Sequence, residues 1–569
     1  MRNRLSPVML LCALACSRLA AAPLGPAAAA DLRVEQQQWQ RQQEREKALR
    51  GHFAPDANAL QGQPAREAMA MPQNESPCFA VHEIRLSGAR QDEVGWLRDA
   101  AGLDLRRSPC IGAKGVEVIL ARMQHALVAR GLVTSRVMVA PQSLNDGVLE
   151  VTFIPGVLRE VHFSPDSSND DRSLLAALPL RPGQMLQLRD IEQGLENLKR
   201  VPTADADIQI VPAEGPDVEP GQSDLLIGYR KSRRWRMNLA LDDGGTRSTG
   251  RLQGAATLSW DNPLLRNDLA YLSLGRGIRN GQRRGTENIA VHYSVPLDYW
   301  LLSLDASSNR YHQTVAGAYE DYAYSGQSSQ INATLSRVIH RSASSRTTAG
   351  VHAFHRSSAS YIDDTEIGVQ RRRTSGYELS LAQRSYWGAS IFDVSLALKR
   401  GTGAFGALHA PEELWGEGTS RMKLHTADLA LTRPFTLGDT RLRFSSTWHG
   451  QWNRTPLTPQ DRIGIGGRYT VRGFDGESTL LAERGRYWRN EIALPLVASA
   501  EAFLALDKGR VSGPSAEYLA GRSLTGAAIG LRGGARGLSY EIFLATPVRK
   551  PEHFRSASTN AAFNLSYSF

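Results

Sequence analysis

Two runs near the end of the chain, LSYEIFLA at residues 538–545 and FNLSYSF at 563–569, alternate large apolar side chains with polar or small ones. Leu538, Tyr540, Ile542 and Leu544 share one parity, and Phe563, Leu565, Tyr567 and Phe569 repeat the pattern. Successive side chains of a strand point to opposite faces, so each run reads as a strand with one apolar face. The same period recurs at Met237, Leu239 and Leu241, and at Ile289, Val291, Tyr293 and Val295, with polar, Gly-rich connections between such runs. From residue 231 to residue 569 no long helical pattern interrupts it. A soluble β-sandwich alternates in the same way. The length of the region, the aromatic pairs Tyr299–Trp300, Tyr386–Trp387 and Tyr487–Trp488, and the final Phe569 favour a closed barrel in lipid instead. Closure pairs every backbone group, which a bilayer demands because it offers no water.

Composition fits this expectation. The 569 residues are 41% hydrophobic and 22% charged with 51 Gly, too apolar for a disordered chain. No later segment supplies the roughly 18 consecutive apolar residues of a spanning helix. Sixty-seven Lys and Arg against 57 Asp and Glu give a formal charge of +10, which suits nucleic acid, anionic lipid or an acidic partner without choosing among them. At the start of the chain, Arg2 and Arg4 precede an apolar stretch from Val8 to Ala15, with small residues at Ala20–Ala22 and Ala27–Ala30. That order predicts an export signal over residues 1–30. Its removal takes Cys12 and Cys16 and leaves Cys78 and Cys110, expected to pair in an oxidising compartment, a link worth about 3–4 kcal/mol in the chain-entropy model.

Residues 31–50, rich in Gln, Glu and Arg around Trp39, predict a single helix without a core face, suited to solvent or a polar channel. Residues 51–77 carry Pro55, Pro64, Pro72 and Pro77 and read as a linker. Residues 78–156 then mix strand patterns with a helical one, in which Val116, Ile119, Leu120, Met123 and Leu127 recur at helical spacing. Residues 157–230 repeat the order, with helical stretches at Leu174–Leu178 and Ile191–Leu198, so a tandem of small α+β units precedes the barrel. No C-x-x-C, H-E-x-x-H, G-x-S-x-G or P-loop occurs, and the 13 His are scattered, so no enzyme, metal or cofactor is expected. The Arg-rich stretches at 230–236, 279–284 and 370–373 lack interleaved aromatics and read as lumen or loop charge, not a nucleic-acid surface.

The run GIGGRYTVRGFDGE at 464–477 resembles the VRGF signature of POTRA-containing barrels that insert or secrete proteins, through Val471, Arg472, Gly473 and Phe474. VTSRVMVAPQSLNDGVLEVTFIPG at 133–156 is similar to the first periplasmic domain of the two-partner secretion transporters (TpsB), of the haemolysin secretion and activation type. The resemblance implies an outer-membrane barrel of about 16 antiparallel strands over 231–569, behind two periplasmic POTRA domains. It implies export of a large haemagglutinin-, haemolysin- or adhesin-like TpsA partner, recognised through its N-terminal secretion domain and moved without nucleotide hydrolysis. A barrel-assembly factor is the alternative. In such barrels the VRGF loop folds inward and its Arg meets an Asp in a D-x-G wall pattern, which FLALDKG supplies as Asp507 and Gly509. The helix at 31–50 would plug the pore, with Trp39 against the wall or a POTRA face. An extended client segment would pair with a sheet edge, for which Leu132, Val133, Thr134, Leu225 and Leu226 are candidates. Outer-membrane lipid and lipopolysaccharide would surround the barrel.

Overall fold

The computed structural model describes Gln40 and residues 70–72, 75–103, 109–167, 177–278, 284–316, 320–497 and 499–569. The expected export signal, Trp39, most of the linker and most of the stretch Leu174–Leu178 lie outside the described residues. Among those described, sixteen antiparallel strands close into a barrel, from Trp235–Asp242 to Asn560–Ser568. A further two-residue segment, Thr365–Glu366, folds back on the end of the strand Ser345–Ile362. The last strand pairs with the first from Asn564 opposite Asp242 to Ser568 opposite Asn238, leaving no sheet edge.

The strand Glu501–Ser512 shows why this sequence closes this way. Phe503, Ala505, Asp507 and Val511 are buried toward the lumen, while Leu504 and Leu506 stand outside. The same outward apolar parity holds at Leu302 and Leu304, Leu379 and Leu381, Leu396 and Leu398, and Ile542 and Leu544. Exposed large apolar side chains on so many neighbouring strands form a band that only hydrocarbon satisfies. Trp235 and Trp260 stack at one rim with ring centroids 4.7 Å apart, and Trp300 and Trp387 flank turns at the same end.

Two α+β units precede the barrel. In the first, β1 (Glu83–Ser87), α1 (Ala113–Ala129), β2 (Arg136–Met138) and β3 (Val148–Ile154) form a sheet with β3 in the middle, parallel to β1 and antiparallel to β2. Ile119, Met123 and Leu127 of α1 are fully buried, with Val116 and Leu120 packed at the margin of the same core. This is the apolar stripe expected of a helix lying on a sheet. Cys78 and Cys110 are joined by a disulfide across 32 positions, beside the short pairing of Phe79–Ala80 with Cys110–Ile111.

The second unit repeats the arrangement with β4 (Val157–Phe163), α2 (Leu188–Leu198), β5 (Ala204–Pro212) and β6 (Gln222–Lys231), where β6 is central. Its α2 sits on the turns at one end of the barrel. Asn197 donates from Nδ2 to the carbonyl of Asp298 at 2.8 Å, and Glu196 binds both Arg341 and Arg346, at 2.8 and 2.6 Å. Thr203 donates to Asp261 at 2.7 Å, in a contact buried from solvent. The segment 454–483 leaves from the opposite end, between the strands Thr440–Asn453 and Arg484–Pro495, and folds back into the barrel.

Candidate functional site in the barrel lumen

The inward segment is held first by shape. Ile463–Ile465 pairs with Leu480–Ala482 as a short hairpin, and Ile465, Val471, Phe474 and Leu480 share a buried cluster with Val511 and Leu524 of the wall and Phe554. Phe474 meets Phe554 edge-on at 5.6 Å. Packing places the tip, and the charges fix its register.

Arg472 is 5% exposed and Asp507 is fully buried. The guanidinium donates from Nε to Asp507 Oδ2 at 2.7 Å and from Nη2 to Oδ1 at 2.9 Å, and the Arg472 backbone N–H adds a third bond to Oδ2 at 2.9 Å. Two-pronged carboxylate recognition of this kind is specific to the planar fork of arginine. Nη1 donates to Glu491 Oε2 at 2.8 Å, and Arg532 in turn bridges Glu491 and Glu501. The charges alternate along a chain of partners, so none is left alone in the dry part of the lumen.

Gly473 takes φ +109, a region that L side chains rarely adopt, and a Cβ there would lie 2.5 Å from the carbonyl oxygen of Thr546. Asn560 donates to the Gly473 carbonyl at 3.0 Å. Gly509 lies on the inward parity of Asp507, and a Cβ there would lie 2.8 Å from Val471. The D-x-G pattern therefore has a physical reading: the Asp takes the Arg, and the Gly leaves room for the residue before it. A second anchor holds the base of the segment, where Asp461, 1% exposed at its side chain, meets Arg356 at 3.2 Å and Lys399 at 3.8 Å.

The structure brings Val471, Arg472, Gly473, Phe474, Asp507 and Gly509 together. Glu491, Gly526, Asn560 and Asp461 belong to the same assembly and no motif announced them. For the first three the one signal was a polar or small residue at an inward parity of a barrel strand, whereas Asp461 sits in the short 3-10 turn Pro459–Asp461 of the inward segment, where nothing marked it. Gln40, the described residue of the stretch 31–50, is helical and lines a small cavity with Asp243, Arg468, Gly473 and Phe474.

The candidate edge residues fare differently. Leu225 and Leu226 lie in β6, hydrogen-bonded on both sides, to β4 and β5, and Leu225 is fully buried. They offer no open edge. An apolar run bounded by turns reads alike for an edge and a central strand, and this one is central. Leu132 is buried in the core of the first unit, Val133 packs on that of the second, and only Arg136–Met138 of the expected strand 132–140 forms one. Among the described residues the outer strands of the two sheets are β1, β2, β4 and β5, and the outer side of β4 is bonded by residues 183–186. Of the Arg-rich stretches, residues 279–283 lie outside the described residues; in the other two, Arg236 pairs with Asp261 at 2.8 Å and Arg372 with Glu412 at 2.5 Å.

Residues 221–533 match the family model described as haemolysin secretion/activation protein ShlB/FhaC/HecB. The chain belongs to this family. Residues 79–156 match its ShlB-type POTRA domain and residues 157–212 a second POTRA domain. An outer membrane transporter CdiB-2 from Burkholderia pseudomallei is 35% identical over 96% of both chains. The haemolysin transporter protein ShlB of Serratia marcescens is 23% identical over 78% of this chain and 77% of its own. The structure of CdiB from Acinetobacter baumannii superposes with a TM-score of 0.82 at 28% identity, covering 95% of this chain and 99% of that one. As a two-partner secretion transporter, the protein sits in the outer membrane with its POTRA domains in the periplasm, and the family moves a partner protein across that membrane. The turns contacted by α2 are therefore periplasmic, and 454–483 is an extracellular loop folded inward.

Proposed function

We propose that the protein carries one large exoprotein of the haemagglutinin, haemolysin or adhesin type from periplasm to surface, recognising its N-terminal secretion domain and using no nucleotide. The observation that carries this is the lumen itself: a tube whose inward loop is held by a few strong, reversible charge pairs, not by the barrel's covalent frame. In the resting state the loop and the segment 31–50 occupy the lumen, which matches the place of Gln40 beside Gly473 and Phe474. Deleting residues 31–50 is expected to raise single-channel conductance in planar bilayers. Unchanged conductance would remove the plug from the account.

Client capture is assigned to β5. Its nine residues form the longest open edge of the two sheets, whereas β4 is bulged and its free side is already engaged by residues 183–186. An extended segment adding to β5 would gain main-chain hydrogen bonds with little demand on its side chains. A photo-crosslinker at Gln209 of the full-length transporter in cells is expected to trap the exoprotein, and one at Leu226 is not; equal trapping at both sites refutes the assignment. Directionality follows without a nucleotide if the emerging chain folds outside, because each repeat that stacks on the last opposes sliding back.

A further inference from the structure

We infer that the periplasmic rim holds a phospholipid of the inner leaflet by a zwitterionic phosphoethanolamine headgroup, in a cavity between the second POTRA domain and the turn at Asp298 and Tyr299. The cavity is about 430 Å³, and Asp190, Asp298, Tyr299, Trp300 and Arg337 are among the residues that line it. That volume lies in the range of small-ligand sites, roughly 300–1,000 Å³.

Its charges differ from one side to the other, a cation on the barrel side and carboxylates on the POTRA side. Arg337 pairs in register with Trp300, and it shares the outward, lipid-facing parity of Ile331 and Leu335. Its guanidinium lies 5.1 Å from the centre of the Trp300 ring, and among the described residues no carboxylate stands within ion-pair distance of it. An exposed arginine at the level of an interfacial tryptophan meets the phosphates of the leaflet, and its planar donors match a phosphodiester. Above it, Leu302 and Leu304 continue the outward column of Trp300 and offer an apolar path to acyl chains.

On the POTRA side the same cavity carries two carboxylates. Asp190 is half-buried, accepts a hydrogen bond from the Tyr299 hydroxyl, and its acidity is weakened first by burial and further by the nearby charge of Asp298. Asp298 is shared with Arg181 at 3.3 Å. The remaining cation of the lining, Arg90, is committed to Glu93 at 2.6 Å and to the carbonyl of Gly183 at 3.2 Å. A primary ammonium entering here relieves the repulsion between Asp190 and Asp298 and lies near the Trp300 ring. Phosphate outside and ammonium inside is the order of phosphoethanolamine. Phosphatidylglycerol lacks the cation, and the methylated ammonium of phosphatidylcholine donates no hydrogen bond. A lipid seated here contacts the POTRA domain and the barrel together.

Native mass spectrometry of the delipidated full-length protein, titrated with phosphatidylethanolamine, phosphatidylglycerol and phosphatidylcholine of equal chain length, tests the site. Phosphatidylethanolamine is expected to bind at least tenfold more tightly than the other two. Arg337→Gln should weaken every phospholipid, and Asp298→Asn should abolish the preference while leaving phosphatidylglycerol binding unchanged. Arg337 is exposed and outside the ion-pair network, so its variant leaves barrel closure intact, as an unchanged heat-modifiable gel shift will show. Equal binding of the three lipids, or wild-type affinity in Arg337→Gln, overturns the inference. Saturation by glycerophosphoethanolamine at the same concentration as the lipid also overturns it, by making the ligand a soluble headgroup.

Discussion

Export of the partner protein is expected to fall at least tenfold in Arg472→Ala and in Asp507→Ala, with the barrel still assembled. Removing one member of a buried pair costs about 3–5 kcal/mol, because the other is left charged and dry. A tenfold change in an equilibrium is about 1.4 kcal/mol, so that loss shifts the balance between docked and released loop by a factor of roughly 10² to 4 × 10³. Arg472→Ala takes the guanidinium from two carboxylates at once, leaving Asp507 with Arg489 at 3.8 Å and Glu491 with Arg532, whereas Asp507→Ala leaves Arg472 one carboxylate, at Glu491. The arginine variant should therefore be the more severe. The double variant should be no worse than the worse single one, since the two act through one interaction. Immunoblots of the secreted fraction, with limited proteolysis at the cell surface to report the loop, measure both effects. Wild-type export from both single variants would end the case for the lock.

Gly526→Val is expected to release the loop by shape alone. A Cβ on Gly526 would run into the carbonyl oxygen of Arg472, and backbone on both sides leaves neither atom free to move. Overpacking of this kind costs about 1–3 kcal/mol when neighbours can yield, and here they cannot do so without undocking the tip. Every charge of the lock is retained, so loss of export in this variant would show that loop position, rather than charge, is what transport requires. Conductance should rise as the loop leaves the lumen. Ile529→Val, three residues along the same strand but exposed to lipid, should change neither property. Full export from Gly526→Val, with the loop still protected from protease, would contradict the packing account.

The barrel was legible because its signal is simple. A strand with one face in lipid must place apolar residues at every second position, and Leu538 to Leu544 and Phe563 to Phe569 do so. Arg472 and Asp507 were legible only through resemblance to a family motif; alternation alone marks Asp507 as inward and does not say what it meets. Glu491 and Gly526 escaped because a single inward carboxylate or glycine is common in a polar lumen. The error at Leu225 and Leu226 has a different cause. Strand order in a sheet depends on long-range pairing, and nothing in SDLLIGYR reveals that β4 and β5 flank it. The docking of α2 on the rim was equally hidden, since Glu196 finds Arg341 and Arg346 across about 150 residues of chain.

Quantitative mass spectrometry of the secreted, surface and outer-membrane fractions, from cells with and without this protein, tests the central claim most directly. Loss of one large exoprotein from the exterior, with all other barrels at normal abundance, is the result expected of a dedicated two-partner transporter. A collective fall of many outer-membrane barrels would instead make the protein an assembly factor and contradict the proposed function.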